Sequence, residues 1–370
     1  MNVIKPGQTI GILGGGQLGR MMATAAKHMG YRIAVLDPTE DCPTAQVADI
    51  HIQGAYDDME AAEKLGACSD VVTYEFENVD ADVSRFFESQ GKLPQGSLSL
   101  AVSQNREREK GFAEAADIPV PRYRIVTTYE EVKDALAAIG YPAVMKTISG
   151  GYDGKGQFLL RDEQDLRDTE SGMTEGRYIV ERWLNIDKEV SQVFTRDQHG
   201  NLSFFPIAEN VHKDQVLFTT TVPASLEEEG EEEIRKYTEV LAEELGVVGT
   251  FAVEWFVSEG DVYFNEMAPR PHNSGHYTIE ACNVSQFEQH IRAITGLPLL
   301  TIHSFPAAKM INVLGRHRDP LYQSLDREEV HLHDYGKKEA RSHRKMGHVT
   351  IIGSSLDDVA KKEPAWMRDW

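Results

Sequence analysis

GTFAVEWFVSEGDVYFNEM, residues 249–267, carries two β-rich runs on either side of Ser258-Glu259-Gly260-Asp261. Such runs around a short glycine-containing turn read as an antiparallel hairpin centred near Gly260. Strand alternation then puts Ala252, Glu254 and Phe256 on one face, and Phe264 and Glu266 together on one face of the partner strand. A turn at Gly260 brings Glu254 and Glu266 opposite each other, where Cβ atoms lie about 5 Å apart and like charges repel. Apolar neighbours argue against water as the screen. Two carboxylates with Asn265 beside them are hard oxygen ligands suited to Mg2+, which is held by one or two carboxylates plus substrate phosphates.

Downstream, MAPRPHNSGHYTIEA (267–281) holds Arg270 between two prolines next to the acidic pair. A guanidinium fixed there suits a transferring phosphoryl group. His272 and His276 are four residues apart, but Pro271 and Gly275 oppose the helix that a zinc pair at that spacing needs, so both read as hydrogen-bonding loop residues. Asn273-Ser274-Gly275 opens a helix, HYTIEACN, whose N-terminus is an anion site. Upstream, ISGGYDGKGQFLL (148–160) packs four glycines into seven residues, which costs backbone entropy and supplies no packing. Such a loop lets amides approach phosphate closely, with Lys155 as a mobile charge; the P-loop spacing is absent. Lys146, in an apolar strand, calls for an anionic partner.

A second glycine cluster lies in GILGGGQLGRMM (11–22), after an apolar run, with Gly14, Gly16 and Gly19 in G-x-G-x-x-G spacing. Asp37 ends the next strand about where a dinucleotide site keeps its ribose carboxylate. The alternative is a tight strand-to-helix turn whose amides serve any anion. Near the C-terminus, YGKKEARSHRKMGHVTI (335–351) gathers Lys337, Lys338, Arg341, Arg344 and Lys345, a phosphate seat in a chain whose 38 Lys and Arg face 59 Asp and Glu for a net charge of -21. That balance excludes nucleic acid and anionic membrane as partners. No apolar run is long enough to span a bilayer, and three isolated cysteines fit a reducing cytoplasm. Residues 1 to about 100 alternate strand and helix, predicting a small parallel sheet covered by helices. From about residue 120 strands dominate. SLEEEGEEEIRKYTEVLAEEL (225–245) reads as a solvated helix with Ser225 as N-cap and Glu228 as its capping-box partner.

With these residues assembled, GILGGGQLGRM, TYEFENV, GGYDGKGQ, FNEMAPRPHNSGHYTIEAC and YGKKEAR-x-x-RKMGH resemble signatures of the ATP-grasp superfamily and, within it, the N5-carboxyaminoimidazole ribonucleotide synthetase family, nearly end to end. The resemblance implies an α/β (α+β) molecule with a Rossmann-like parallel-sheet domain over 1–105, a two-lobed ATP-grasp domain over 106–300 and a small β-rich C-terminal domain over 301–370. It implies ATP held by Arg106, Lys146, Gly151, Tyr152, Asp153, Gly154, Lys155, Gly156 and Gln157, by the hinge Glu181, Arg182, Trp183 and Leu184, and by Glu189, His212, Asn265 and Glu266. Glu254 and Glu266 would bind two Mg2+ ions. Gly16, Gln17, Leu18, Glu75, Arg270, His272, Asn273, Ser274 and His276 would line the ribonucleotide pocket, with Lys337 and Arg344 on its phosphate. On this likeness the glycine turn at 14–19 faces substrate rather than NAD. Two departures stand out: Ser342-His343 replaces a usual Pro-Gly, and ERWL replaces a commoner acidic-aromatic hinge.

The implied reaction is ATP-dependent carboxylation of 5-aminoimidazole ribonucleotide by bicarbonate through carboxyphosphate, in purine biosynthesis. Arg270, Asp153 and Lys155 would be the catalytic groups of a cytoplasmic homodimer. The alternative is another ATP-grasp ligase of purine metabolism, of the formate-dependent transformylase type.

Overall fold

Three sheets follow one another along the chain in the computed structural model, which describes residues 3–150, 156–170, 172, 173, 176–322 and 329–363. The first is parallel: β1 (Thr9–Leu13), β2 (Arg32–Leu36), β3 (Ile50–Ile52) and β4 (Val71–Tyr74), in the order β3-β2-β1-β4. All five residues of β1 are buried, as befits a parallel strand covered on both faces. Helices Met59–Cys68 and Ala81–Ser89, each started by an aspartate that caps two amides, cover one face. The other is covered by helix Gln17–His28 together with helix Gln286–Thr295, whose Phe287, Ile291 and Ile294 pack on Ile10, Ile12 and Ile33. A helix from the last quarter of the chain therefore completes the N-terminal layer.

The second sheet is antiparallel, with order β5-β8-β6-β7: β5 (Tyr123–Val126), β6 (Ala143–Thr147), β7 (Gln157–Leu160) and β8 (Tyr178–Arg182). Helix Tyr129–Ile139, opened by a Thr128/Glu131 capping box, buries Val132, Ala135 and Leu136 against it.

The third sheet has nine strands: β9 (Lys188–Arg196), β10 (Leu202–Phe204), β11 (Ala208–Lys213), β12 (Val216–Val222), β13 (Gly249–Ser258), β14 (Asp261–Ala268), β15 (Ala307–Leu314), β16 (Val330–Asp334) and β17 (Lys345–Gly353). Its order is β14-β13-β9-β11-β12-β15-β17-β16, with β10 beside β9. The β-rich C-terminal segment thus extends the central sheet through β12 and β15.

Two local expectations change. Helix Glu228–Leu245 begins at Glu227 without a side-chain cap, and the Ser225 N–H that a capping box would give to Glu228 goes to Glu209 at 3.2 Å. The helix after Arg270 shrinks to a 3-10 turn at Asn273–Gly275 and a single α turn at Thr278–Ala281. Among the described residues no helix is long and apolar enough to cross a membrane.

Candidate active site

A cleft of roughly 590 Å³ opens between the second and third sheets, and the glycine turn after β1 reaches its rim. The β13–β14 hairpin forms one wall. Its turn residues Glu259 and Gly260 both have positive φ, 56° and 88°, the conformation a two-residue hairpin favours. Glu254 and Glu266 are cross-strand partners, although the turn, which pairs Ser258 with Asp261, would by itself set Glu254 opposite Asn265. The next pair is Trp255 with Phe264, so Asn265 is an extra residue in β14.

This bulge overturns the expected alternation. Phe264 shares the core with Trp255, Val262 and Met267, while Asn265 and Glu266 both line the cleft. Two consecutive side chains reach one side because the bulge resets the pleat. Helix Arg106–Ala115 holds it in place: Lys110 Nζ donates to the carbonyls of Phe264 (3.0 Å) and Asn265 (2.9 Å), and Glu109 Oε1 accepts the Met267 N–H at 2.7 Å. Lys110 also lies 3.4 Å from Glu181 Oε1, with 1 % of its side chain exposed. Neither Glu109 nor Lys110 was singled out by sequence; their signal is a charged pair on the helix face that Ala113 buries.

Glu254 is buttressed by a neighbour in the cleft wall, His272. The Ser274 N–H (3.3 Å) and hydroxyl (2.9 Å) both point at His272 Nδ1, which leaves the proton on Nε2, 3.2 Å from Glu254 Oε1. The Ser274 hydroxyl in turn accepts from Ser191 (2.8 Å), which accepts from Asn210 (3.0 Å), which accepts from Thr220 (2.9 Å). Burial, reinforced by Arg270 and Lys345, holds the His272 imidazole far below its ordinary range, so it is neutral. Burial and the charge of Glu266 push Glu254 up to about 7. Glu266 is pushed up by burial, but Arg106 and Lys146 outweigh this and hold it below the usual carboxylate range.

Basic side chains from several elements of the cleft wall meet carboxylates. Lys146 Nζ lies 2.6 Å from Glu181 Oε2, and burial of Glu181 is outweighed by Lys110, Lys146 and Arg106, which bring it down to about 2. Arg106 Nη1 meets Glu266 at 3.1 Å, His212 Nδ1 meets Glu189 at 2.7 Å, and the Arg270 guanidinium pairs with Glu77. Glu77, just past the end of β4, was also missed.

The pair Glu254 and Glu266, with Asn265 alongside, fits a divalent cation: Glu266 is held below the usual carboxylate range, and Glu254 is raised by burial and by the charge of Glu266, which a cation would offset. Among the described residues no group of three or more His, Cys, Asp or Glu could hold a metal on its own. This is the donor set of an ion that keeps water and phosphate ligands rather than of zinc.

The glycine turn is filled by its own protein. Glu75 accepts the amides of Gly16 and Gly19 (2.9 Å for Gly19), where a dinucleotide pyrophosphate would sit. Asp37 accepts from the Gly15 amide (2.8 Å), the Thr39 amide (2.8 Å) and the Tyr56 hydroxyl (2.6 Å). A Cβ on Gly19 would lie 2.5 Å from Thr44 Oγ1. The dinucleotide alternative has neither its amides nor its carboxylate available.

The cleft wall brings together Gln17, Leu18, Arg106, Lys146, Gln157 and Glu181 through Leu184. It also includes Glu189, His212, Glu254, Asn265, Glu266, Arg270, His272 and Asn273. Gly16, Glu75 and Ser274 stand behind it, and Gly156 closes the β6–β7 hairpin through its carbonyl to Thr147 (3.0 Å). His276 is fully buried, with its ring 4.7 Å from that of His348 and Nδ1 on Gln286 at 3.2 Å. Lys337 donates to the Lys345 carbonyl (2.8 Å) over the Tyr335 ring, and Arg344 to the Glu339 carbonyl (3.1 Å). Of that basic loop, Lys345 is the residue at the cleft. Gly151, Tyr152, Asp153, Gly154 and Lys155 lie outside the described residues.

Family models match along the chain: a ribonucleotide synthetase preATP-grasp domain over 7–104, an ATP-grasp domain over 111–287 and a phosphoribosylaminoimidazole carboxylase C-terminal domain over 308–362. The N5-carboxyaminoimidazole ribonucleotide synthase of Bacillus subtilis (strain 168) is 45 % identical, over 99 % of this chain and 97 % of its own. A crystal structure of an ADP complex of an N5-carboxyaminoimidazole ribonucleotide synthetase superposes with a TM-score of 0.95 at 49 % identity, over 98 % of this chain and 97 % of the other. The Aspergillus clavatus enzyme, solved with ADP and 5-aminoimidazole ribonucleotide, has a TM-score of 0.90 at 27 % identity, over 96 % of each chain. This chain belongs to the N5-carboxyaminoimidazole ribonucleotide synthase family of ATP-grasp ligases.

Proposed function

We propose that this protein carboxylates 5-aminoimidazole ribonucleotide on its exocyclic amine, using bicarbonate and ATP and releasing ADP and phosphate. The observation that carries this reading is one cleft that holds Lys146, the Glu254–Glu266 pair, Arg270 and the turn residues Gln17 and Leu18 together.

Bicarbonate is a poor electrophile, so activation comes first: a bicarbonate oxygen attacks the γ-phosphorus, ADP leaves and carboxyphosphate forms. The amine then attacks the carboxyl carbon, or CO2 released from it, and phosphate departs. Arg106, Lys146 and Gln157 take the nucleotide phosphates, and Glu181 to Leu184 take the base. Arg270 balances charge on the transferring group, its guanidinium steadied by Glu77. Glu254 and Glu266 would hold Mg2+, which supplies charge neutralisation across the phosphates. His272 holds Glu254 in place through the relay from Thr220. The ribonucleotide sits between the turn at 14–19 and the loop carrying Lys337 and Arg344, with Asp153 and Lys155 as further catalytic groups from the loop above. We assign the chain to a Rossmann-like part (1–105), an ATP-grasp part (106–300) and a C-terminal part (301–370), acting as a cytoplasmic homodimer.

The test is ADP release with each substrate omitted in turn. Release is expected only when ATP, bicarbonate, Mg2+ and 5-aminoimidazole ribonucleotide are all present, and Glu266→Gln abolishes it. Equal release with formate in place of bicarbonate, or without the ribonucleotide, would overturn the reading.

A further inference from the structure

Four buried polar residues away from the cleft form one directional chain. The Thr250 amide, at the start of β13, donates to His290 Nδ1 at 3.0 Å, so the imidazole proton sits on Nε2 and donates to the Thr73 hydroxyl at 2.9 Å. Thr73 donates to Gln95 Oε1 at 2.5 Å, and Gln95 Nε2 donates to the Pro269 carbonyl at 3.0 Å. An amide N–H can only donate and a carbonyl can only accept, so neither end of the chain can reverse. His290, Thr73 and Thr250 are fully buried and Gln95 is 3 % exposed. The joint is also tight: Gly249 has φ +117°, and a Cβ there would lie 2.9 Å from the His290 ring.

The chain ends beside the chemistry. Pro269 precedes Arg270, whose guanidinium pairs with Glu77. Thr73 belongs to β4, the strand that runs into Glu75 on the Gly16 and Gly19 amides and then into Glu77. Arg270 is therefore tied to the parallel sheet twice, by its side chain through Glu77 and by the preceding carbonyl through Gln95.

We infer that Gln95 is a positioning residue, which fixes the Pro269 carbonyl to β4 and so sets Arg270 in register with the glycine turn at Gly14–Gly19. The N-terminal sheet thereby decides where the transferring group meets its acceptor. The kinetic consequence rests on the proposed function; the positional one does not.

The experiment compares Gln95→Leu, Thr73→Val and Thr73→Ser with the parent, by steady-state ADP release and by backbone hydrogen exchange. Gln95→Leu and Thr73→Val lower kcat by about tenfold or more and leave KM for ATP within about twofold, because the nucleotide contacts lie on other strands. Thr73→Ser, which keeps the hydroxyl, restores kcat to within about twofold. Exchange across residues 270–273 accelerates by about tenfold in the first two variants, while β9 is unchanged. A folded Gln95→Leu protein with parental kcat, or with parental exchange at 270–273, overturns the inference, as does acceleration spread evenly over β9 and β13. If Gln95→Leu does not fold, the Thr73 pair decides by the same readouts. Should the parent release no ADP with 5-aminoimidazole ribonucleotide, the functional reading falls, and exchange alone decides the positioning.

Discussion

Replacing Lys110 with methionine isolates the device that presents Asn265 and Glu266. Methionine keeps an unbranched apolar stem but removes the ammonium that donates to the carbonyls of Phe264 and Asn265 at 3.0 and 2.9 Å. Hydrogen bonds from a charged group contribute about 1.5–3 kcal/mol each. Against that loss, burying the ammonium is itself costly; burial pulls the Lys110 pKa down even with Glu181 beside it. Glu181 is not stranded by the change, because Lys146 remains 2.6 Å away. The net destabilisation is therefore less than the two bonds together, about 2–4 kcal/mol. At roughly 2–4 °C per kcal/mol in a domain of this size, melting falls by roughly 4–16 °C. Without the clamp the bulge loses its fixed position, so Glu266 no longer faces Glu254 reliably. ADP binding should then weaken by about tenfold more in the presence of Mg2+ than in its absence. Differential scanning calorimetry reads the first quantity and isothermal titration of ADP with and without Mg2+ the second. An unchanged ratio of the two ADP affinities in a variant that melts lower would refute the role of Lys110 at the bulge, leaving only a stabilising one.

Because Glu254 sits at about 7, loading the protein with Mg2+ and ADP at pH 7 should release about half a proton and almost none at pH 9. Calorimetry in buffers of different ionisation enthalpy measures this, and Glu254→Gln should remove it. The same raised pKa means that the metal-free fold keeps this contribution in full below about 4.5 and loses it as pH rises through about 7. Thermal melts from pH 5 to 9 should therefore slope downward, and Mg2+ with ADP should flatten them. Arg270→Lys keeps the charge but loses the fork that grips Glu77; kcat should drop by about a hundredfold with KM for ATP nearly constant, and an unchanged kcat would remove Arg270 from the chemistry. Gly19→Ala, whose Cβ would crowd Thr44 Oγ1 and the Gly14 carbonyl, should cost about 1–3 kcal/mol of stability by denaturant titration. NADH titrated into the protein should show no fluorescence change, since Glu75 and Asp37 fill the places a dinucleotide needs; saturable binding would revive that reading.

What could be read from sequence was what neighbours in the chain decide. The turn at Gly260 follows from local geometry, as does the parallel N-terminal sheet from its alternating strands and helices, whereas the facing of Glu254 and Glu266 depends on the bulge. The bulge was illegible because its cause lies on another element: Lys110 and Glu109, more than a hundred residues upstream, hold the carbonyls and the amide that the extra residue displaces. On local evidence the glycine turn is ambiguous for the same reason. Its spacing is that of a phosphate loop, and only the carboxylate of Glu75, arriving from β4, shows that its amides are occupied. Apolar spacing in Gln286–Thr295 marks a buried face, but no local pattern says that its partner is the first sheet. The capping box at Ser225 fails partly for a non-local reason: Glu209, on a strand earlier in the sequence, takes the Ser225 N–H that Glu228 would accept.

A chain of net charge -21 that takes polyphosphate faces repulsion everywhere except at its site, and the site's answer is to arrive already paired. Lys110 and Lys146 share Glu181, Arg106 holds Glu266, and Arg270 holds Glu77. Pairing lets these cations be buried without ruinous desolvation, and it fixes their positions before any substrate arrives, so little reorganisation remains when charge moves. It also sets a condition. Phosphate oxygens entering between such pairs meet carboxylates as well as cations, and Glu266 in particular cannot serve Arg106 and a polyphosphate together unless a further positive charge enters with the nucleotide. Glu254, whose carboxyl is raised by burial and by Glu266, is where that charge would register, by lowering its proton affinity. On the proposed function, the acidic pair would make nucleotide entry conditional on Mg2+, and a protein with both carboxylates neutralised, as in Glu254→Gln with Glu266→Gln, should bind ADP without regard to Mg2+.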